Sequence, residues 1–227
     1  MKIIAFGDIH MATSRVGTIP EIEQADLILL TGDLTNHGSE SDVKKVLDEI
    51  ITINPRILAL FGNLDRKSVN TCLDQLDINL HGQARLIGSK LLILGVGGSN
   101  PTPFNTPSEF SEKELATLLQ GAWEKGNNLL QQIENDTGNK IPTILVSHPP
   151  PYNTTTDRVR SGRHVGSKAV RTFIEQHQPD ICITGHIHES KGADRIGNTR
   201  IYNPGMLQHG GWVTLYLKHS QLHVTLQ

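Results

Sequence analysis

The sequence predicts an α/β or α+β layered fold, on three observations. Short apolar runs recur, each ending in Gly, Asp, Asn or His. Segments with helical spacing lie between them. Beyond about residue 185 these helical segments stop and paired strand-like segments follow.

Residues 2–6 end at Gly7-Asp8, 26–31 at Gly32-Asp33 and 56–61 at Gly62-Asn63. Residues 141–147 end at His148, and 180–184 at Gly185-His186. Runs this short and unalternating suit strands buried on both faces. Residues 41–53 carry Val43, Val46, Leu47 and Ile50, a stripe at helical spacing. Residues 67–76, 112–133 and 167–177 are similar, with a break expected near Gly126. Strand pairs are expected at 195–202 around Gly197-Asn198, at 212–227 around His219-Ser220, and at 84–94 around Gly88-Ser89. Such sheets gather ligands along the edge where strands end. The polar or Pro-rich stretches 99–108 and 149–166 suit functional loops at that edge.

Composition narrows the class. A chain of 227 residues, 37% hydrophobic with 21 glycines besides, can bury one ordinary core, so one domain over 1–227 is expected. A net charge of -2, a pI near 6.6 and 4% aromatic residues argue against a surface that tracks nucleic acid or stacks its bases. Cys72 and Cys182 lie far apart in sequence and imply neither a disulfide framework nor a thiolate zinc site. The first apolar run is too short for a signal peptide, and no stretch nears the roughly 18 apolar residues of a membrane span. A soluble cytoplasmic protein is expected.

The run ends deliver Asp8 and His10, then Asp33, Asn63, His148, and last His186 and His188. Singly, an Asp after a strand is more often a turn or cap residue, and a lone His more often a hydrogen-bonded one. The ordered set points to metal. Carboxylate oxygen with imidazole nitrogen suits first-row ions, whereas calcium asks for oxygen throughout. Alternate residues of an extended segment face opposite ways. Asp8 and His10, and likewise His186 and His188, therefore need curved loops to converge, which Gly7 and Gly185 are expected to permit.

The signature Asp8-Ile9-His10, Gly32-Asp33, Gly62-Asn63-Leu64-Asp65, Ser147-His148 and Gly185-His186-Ile187-His188 resembles the calcineurin-like metallophosphoesterases. Further along, His164-Val165-Gly166-Ser167, His186-Ile187-His188-Glu189 and Asn203-Pro204-Gly205 are similar to the Icc-related branch of predicted phosphoesterases. The resemblance implies a four-layer fold, a two-sheet β-sandwich flanked by helices. It also implies two divalent metal ions, manganese first, with iron, zinc, nickel and cobalt as alternatives. Asp8, His10, Asp33 and His188 would hold one ion; Asp33, Asn63, His148 and His186 would hold the other.

One position departs from the family pattern. Many members read Gly-Asn-His-Asp or Gly-Asn-His-Glu where this chain has Leu64, which cannot protonate a leaving group. Such acid help is worth about 10² to 10⁴ in rate. The expected activity is hydrolysis of small phosphoesters or nucleotide-like substrates by a metal-bridging hydroxide, with diesters of good leaving groups favoured. Two divalent ions against two aspartates and one hydroxide leave about one positive charge, which matches a monoanionic diester. His164 is the first candidate to replace the acid, and His37 the second. Asn63, Arg158, Arg160 and Arg163 are expected to bind substrate. Asp65 is read as a turn or cap residue, with an anchor for the Asn63 loop as the alternative, and Ser167 as the cap of a helix whose amides could otherwise receive an anion. The alternative function is a protein-binding scaffold that kept the fold and lost efficient chemistry.

Overall fold

The structure, a computed structural model, describes residues 1–138 and 140–227. The chain begins with β1 (Lys2–Phe6), β2 (Leu27–Thr31), α1 (Glu40–Ile53), β3 (Ile57–Leu60) and α2 (Lys67–Gln75). It continues with β4 (Gln83–Ile87), β5 (Leu91–Val96), α3 (Glu112–Thr137), β6 (Thr143–Ser147), α4 (Lys168–His177) and β7 (Ile181–Thr184). Last come β8 (Gly192–Ile196), β9 (Thr199–Asn203), β10 (Val213–Lys218) and β11 (Gln221–Leu226).

Two sheets result. One has the order β11-β10-β1-β2-β3, the other β4-β5-β6-β7-β9-β8. In the first, β1, β2 and β3 are parallel, and β10 returns antiparallel beside β1 with Lys2 opposite Tyr216. In the second, β5, β6, β7 and β9 are parallel between antiparallel edges β4 and β8. The parallel strands of each sheet therefore send their C-terminal ends to one edge.

Strand alternation sorts the core into three layers of contact. Ile3, Ala5, Leu29 and Leu60 of the first sheet meet Ile93, Ile144, Val146 and Ile183 of the second. The alternate residues Ile4, Phe6, Ile28 and Leu30 pack against Val43, Leu47 and Ile50 of α1 and Leu73 of α2. On the far side, Leu92, Leu94, Leu145 and Cys182 meet Leu115, Leu119 and Ala122 of α3 and Val170 and Phe173 of α4. A helix, sheet, sheet, helix stack follows, the expected four-layer sandwich. Every one of these strands is apolar on both faces because both faces are covered.

The break expected near Gly126 does not occur; α3 runs unbroken from Glu112 to Thr137. The reason is packing. A Cβ at Gly126 would lie 2.8 Å from Leu92 Cδ2 and 3.2 Å from Ala84 Cβ, so glycine lets the helix lie close on the β4-β5 pair.

His81 fixes the approach of the loop after β5. Its Nδ1 accepts the Gly97 N–H at 3.0 Å, and its ring lies 4.7 Å from that of Phe61 and 5.3 Å from that of Phe110. Burial lowers its pKa from 6.5 to about 4, against the pull of Asp74. The unfolded chain therefore takes up the proton first as pH falls, and the fold loses stability from about pH 6.5 down to about pH 4. The loss should reach up to about 3 kcal/mol. His81→Asn, which keeps an acceptor for Gly97, should flatten this acid limb in urea melts from pH 4 to pH 7. A limb of unchanged steepness would assign the acid loss to other groups.

Candidate metal centre

Loops after β1, β2, β3, β6 and β7 meet at the shared sheet edge. Backbone bonds join the first two: Asp8 N–H donates to Gly32 O, and the Ile9 and His10 N–H groups donate to Asp33 O, each at 2.9 Å. The curvature that brings alternate residues together lies in the residues themselves. Asp8, His10, Asp33 and His186 all adopt left-handed backbone, with φ of 48, 50, 49 and 68°. For residues other than glycine this costs on the order of 1–3 kcal/mol each, and such strain gathers at functional sites. Gly185 contributes space instead, since a Cβ there would lie 2.6 Å from Asp8 Oδ2.

All the predicted ligands converge. Asp8, His10, Asp33 and His188 each place a ligand atom within 4.8 Å of the others, and Asp33, His148 and His186 do the same, so Asp33 belongs to both groups. Asn63 joins the second group, with its Oδ1 3.1 Å from His148 Nε2.

Hydrogen bonds from outside set which atoms face inward. His10 Nδ1 lies 2.8 Å from Asn36 Oδ1, and His148 Nδ1 lies 2.8 Å from the Thr31 carbonyl. Both partners are acceptors, so each Nδ1 carries a hydrogen and each Nε2 faces the centre, where a neutral ring would offer its lone pair to an ion. Asn63 Nδ2 donates to Thr106 Oγ1 at 3.1 Å, which turns Asn63 Oδ1 inward. His10 Nε2 and His188 Nε2 face each other at 3.2 Å, with Asp8 Oδ1 3.1 Å from the latter. His188 Nε2 can supply the hydrogen between these atoms and the His186 N–H donates to both Asp8 oxygens, while two carboxylates, four imidazoles and one amide oxygen converge here. This donor set fits cations.

Titration divides the histidines of the centre. Burial alone would raise Asp33, but His148, His10 and His186 hold it down at about 2. Burial would lower His148, yet Asp33 pushes it up to about 9. His186, buried and beside His148, falls to about 4. The centre thus favours a proton on His148 and disfavours one on His186.

Asp65 is not the turn or cap residue expected. The helix it precedes has no side-chain cap, and its buried carboxylate accepts four bonds instead. The donors are Gly62 N (2.8 Å), Leu34 N (3.0 Å), Thr35 N (2.7 Å) and Thr35 Oγ1 (2.8 Å). It ties the Asp33 loop to the Asn63 loop. Burial and the Asp33 charge push its pKa up to about 6, against the pull of these bonds. Leu64 helps through its backbone: its N–H donates to Asp33 Oδ1 at 2.8 Å, while its carbonyl accepts from the N–H of exposed His37.

The 149–166 loop closes one side. His164 Nδ1 lies 2.6 Å from Oδ1 of buried Asp157, and His164 Nε2 accepts from Arg158 Nε at 3.2 Å. Asp157 also takes the N–H groups of Asn153, Thr154 and Gly166. A cavity of about 800 Å³ reaches from Asn63 and His186 to Arg160, Arg163 and His164, while Arg158 is turned to His164. Ser167 caps α4 as expected, accepting from Val170 N. The first amides of that helix are occupied by Glu112, whose carboxylate accepts from Lys168 N at 3.0 Å and Ala169 N at 2.7 Å. Asn203 donates to Ile187 O at 2.9 Å and so supports the loop carrying His186 and His188.

Asn36, Thr106, Asp157 and Glu112 went unpredicted. Each acts through a contact across at least 26 residues except Asp157, whose local bonds to 153–166 leave no sequence pattern.

Comparison with known proteins places this geometry. The model of the calcineurin-like phosphoesterase family matches residues 1–190. An uncharacterized protein of Methanocaldococcus jannaschii is 36% identical over 213 residues, covering 90% of this chain and 88% of its own. Among solved structures, a Thermus thermophilus protein superposes with a TM-score of 0.70 at 17% identity, over 99% of this chain and 98% of its own. A dimetal phosphatase from Danio rerio does so with a TM-score of 0.68 at 11% identity, over 100% and 95%. The two structural likenesses speak for the fold, whereas the family match spans every residue of the acceptor cluster, from Asp8 to His188. This chain belongs to the calcineurin-like phosphoesterase family.

Proposed function

We propose that this protein is a dinuclear metal-dependent phosphodiesterase for small substrates with good leaving groups. The observation that carries the reading is the sharing of Asp33 between two groups of inward-facing acceptors. Asp8, His10, Asp33 and His188 would hold one ion; Asp33, Asn63, His148 and His186 the other. Manganese is the first metal to test, and iron, zinc, nickel and cobalt suit the same ligands. Bound there, two divalent ions supply an acidified water as nucleophile and neutralise charge on the phosphoryl oxygens. The chain's own residues aim that chemistry. Asn36, Thr31 and Thr106 hold the inward faces of His10, His148 and Asn63, and Arg160 and Arg163 meet substrate from the cavity wall.

Leaving-group protonation is the weak point, since Leu64 has no proton to give. His164 is the imidazole on the cavity wall outside the ligand set, and Asp157 orients it as a carboxylate orients a catalytic histidine. Its Nε2 is engaged with Arg158, so delivering a hydrogen there requires that bond to break. We assign it residual help to poor leaving groups.

The test is hydrolysis of aryl and alkyl diesters and monoesters by manganese-loaded protein, beside Leu64→His and His164→Gln. The aryl diester should exceed the alkyl diester by a factor beyond their intrinsic reactivity, on the order of 10² or more. Leu64→His should narrow that ratio and His164→Gln widen it by about tenfold. Equal turnover of aryl and alkyl esters would refute the missing acid. Inactivity toward every ester with every metal would favour the scaffold.

A further inference from the structure

Phe104 is the most exposed large apolar side chain among the described residues, at 80%, yet the loop that carries it is firmly built. Glu109 Oε1 accepts from Thr102 Oγ1 (2.6 Å), Thr106 N (2.7 Å) and Thr106 Oγ1 (2.7 Å). Phe104 N–H donates to Thr102 Oγ1 at 3.1 Å, and Asn100 Nδ2 donates across to Val165 O at 3.1 Å. The same loop supplies Thr106, which orients Asn63.

The Phe104 ring lines the cavity that reaches Asn63 and His186. Its volume of about 800 Å³ lies in the range of sites that enclose whole organic ligands, so a phosphoryl group alone would leave most of it to water. Arg160, Arg163 and Lys168 line it too, and their side chains form no ion pair among the described residues. Of the acids on the wall, Glu112 is spent on the α4 amides and Glu189 accepts the Arg160 N–H. Three cations against two carboxylates, both carboxylates turned to backbone N–H groups, leave this wall with a net positive charge, and Phe104 lines the same cavity.

We infer that the substrate is a phosphoester whose organic arm carries a flat ring, stacked on Phe104, and a second anionic group, met by Arg160 and Arg163. A phosphodiester carrying a nucleoside and a further phosphate has this chemistry, and the nucleotides titrated below stand for its arm. The inference rests on the phosphoesterase reading for its scissile group, and its test is binding.

The experiment is calorimetric titration of manganese-loaded protein with ribose 5-phosphate, adenosine 5′-monophosphate and adenosine 3′,5′-bisphosphate. The base should tighten binding about 5- to 10-fold over ribose 5-phosphate, the lower range for stacking on an aromatic side chain. The second phosphate should tighten it further, by a step that shrinks as salt rises. Phe104→Ala should collapse the first ratio and the double variant Arg160→Ala/Arg163→Ala the second. Equal affinity for the three ligands, or variants that weaken all three alike, would overturn the inference. Stepwise binding in a protein that hydrolyses no ester would uphold the pocket and sink the proposed chemistry instead.

Discussion

Asp33→Asn should lower diester hydrolysis by roughly 10³-fold or more while the chain still folds. The side chain is isosteric and keeps an oxygen for the Leu64 N–H, so the loop geometry need not change. What it removes is the one negative charge common to both acceptor groups. Asp8 would then be the only carboxylate left to balance two divalent ions, and affinity at both positions should fall together. Metal analysis after dialysis should give well under two ions per chain, in step with the lost rate. The thermal midpoint of metal-free protein should fall, because the Asp33 carboxyl sits at about 2, below its ordinary 3.8, so its charge and its pairing with buried His148 help hold the fold at neutral pH. A variant that keeps two ions and more than about a tenth of the rate would remove the basis for a shared ligand. A binding scaffold would keep its role after this change.

The candidate site was more legible in the sequence than the devices that aim it. Asp8, Asp33, Asn63, His148 and His186 each follow a parallel strand, and the apolar runs that announce those strands are local patterns. Parallel strands of one sheet end on one side, so reading the runs amounts to reading the convergence. Leu64 was visible for the same reason, as a gap in an ordered motif. The orienting bonds were hidden, because His10 to Asn36, Asn63 to Thr106 and the α4 amides to Glu112 are set by how loops meet in space. Helical limits came close for α2, read as 67–76 against Lys67–Gln75, and for α4, read as 167–177 against Lys168–His177, where an apolar stripe runs the length of the helix. Gly126 misled because propensity treats glycine as a breaker, whereas its role is contact with Leu92 on a neighbouring strand. The left-handed backbone of Asp8 and His10 had no signal either, since nothing in the residue types demands it.

Asp65 is where that hidden layer should show its weight. Asp65→Ala would leave the N–H groups of Gly62, Leu34 and Thr35 and the Thr35 hydroxyl without their acceptor in a site closed to solvent. Each buried donor left unpaired costs about 1–3 kcal/mol, and partial relaxation places the sum near about 3–5 kcal/mol. Urea melts should show that loss. Asp65→Asn separates the charge from the contacts: its single carbonyl oxygen can keep some of the four donors, while its NH₂ group opposes the rest. It should lose less stability than the alanine variant yet still weaken metal retention about 10- to 100-fold, the scale for residues that hold ligand loops. Such a pattern requires the carboxylate to act by positioning Asp33 and Asn63, because Asp65 itself faces backbone amides and not the acceptor cluster. If Asp65→Asn held metal as tightly as the parent, the two loops would have to be fixed by the backbone bonds of Leu64 to Asp33 and His37.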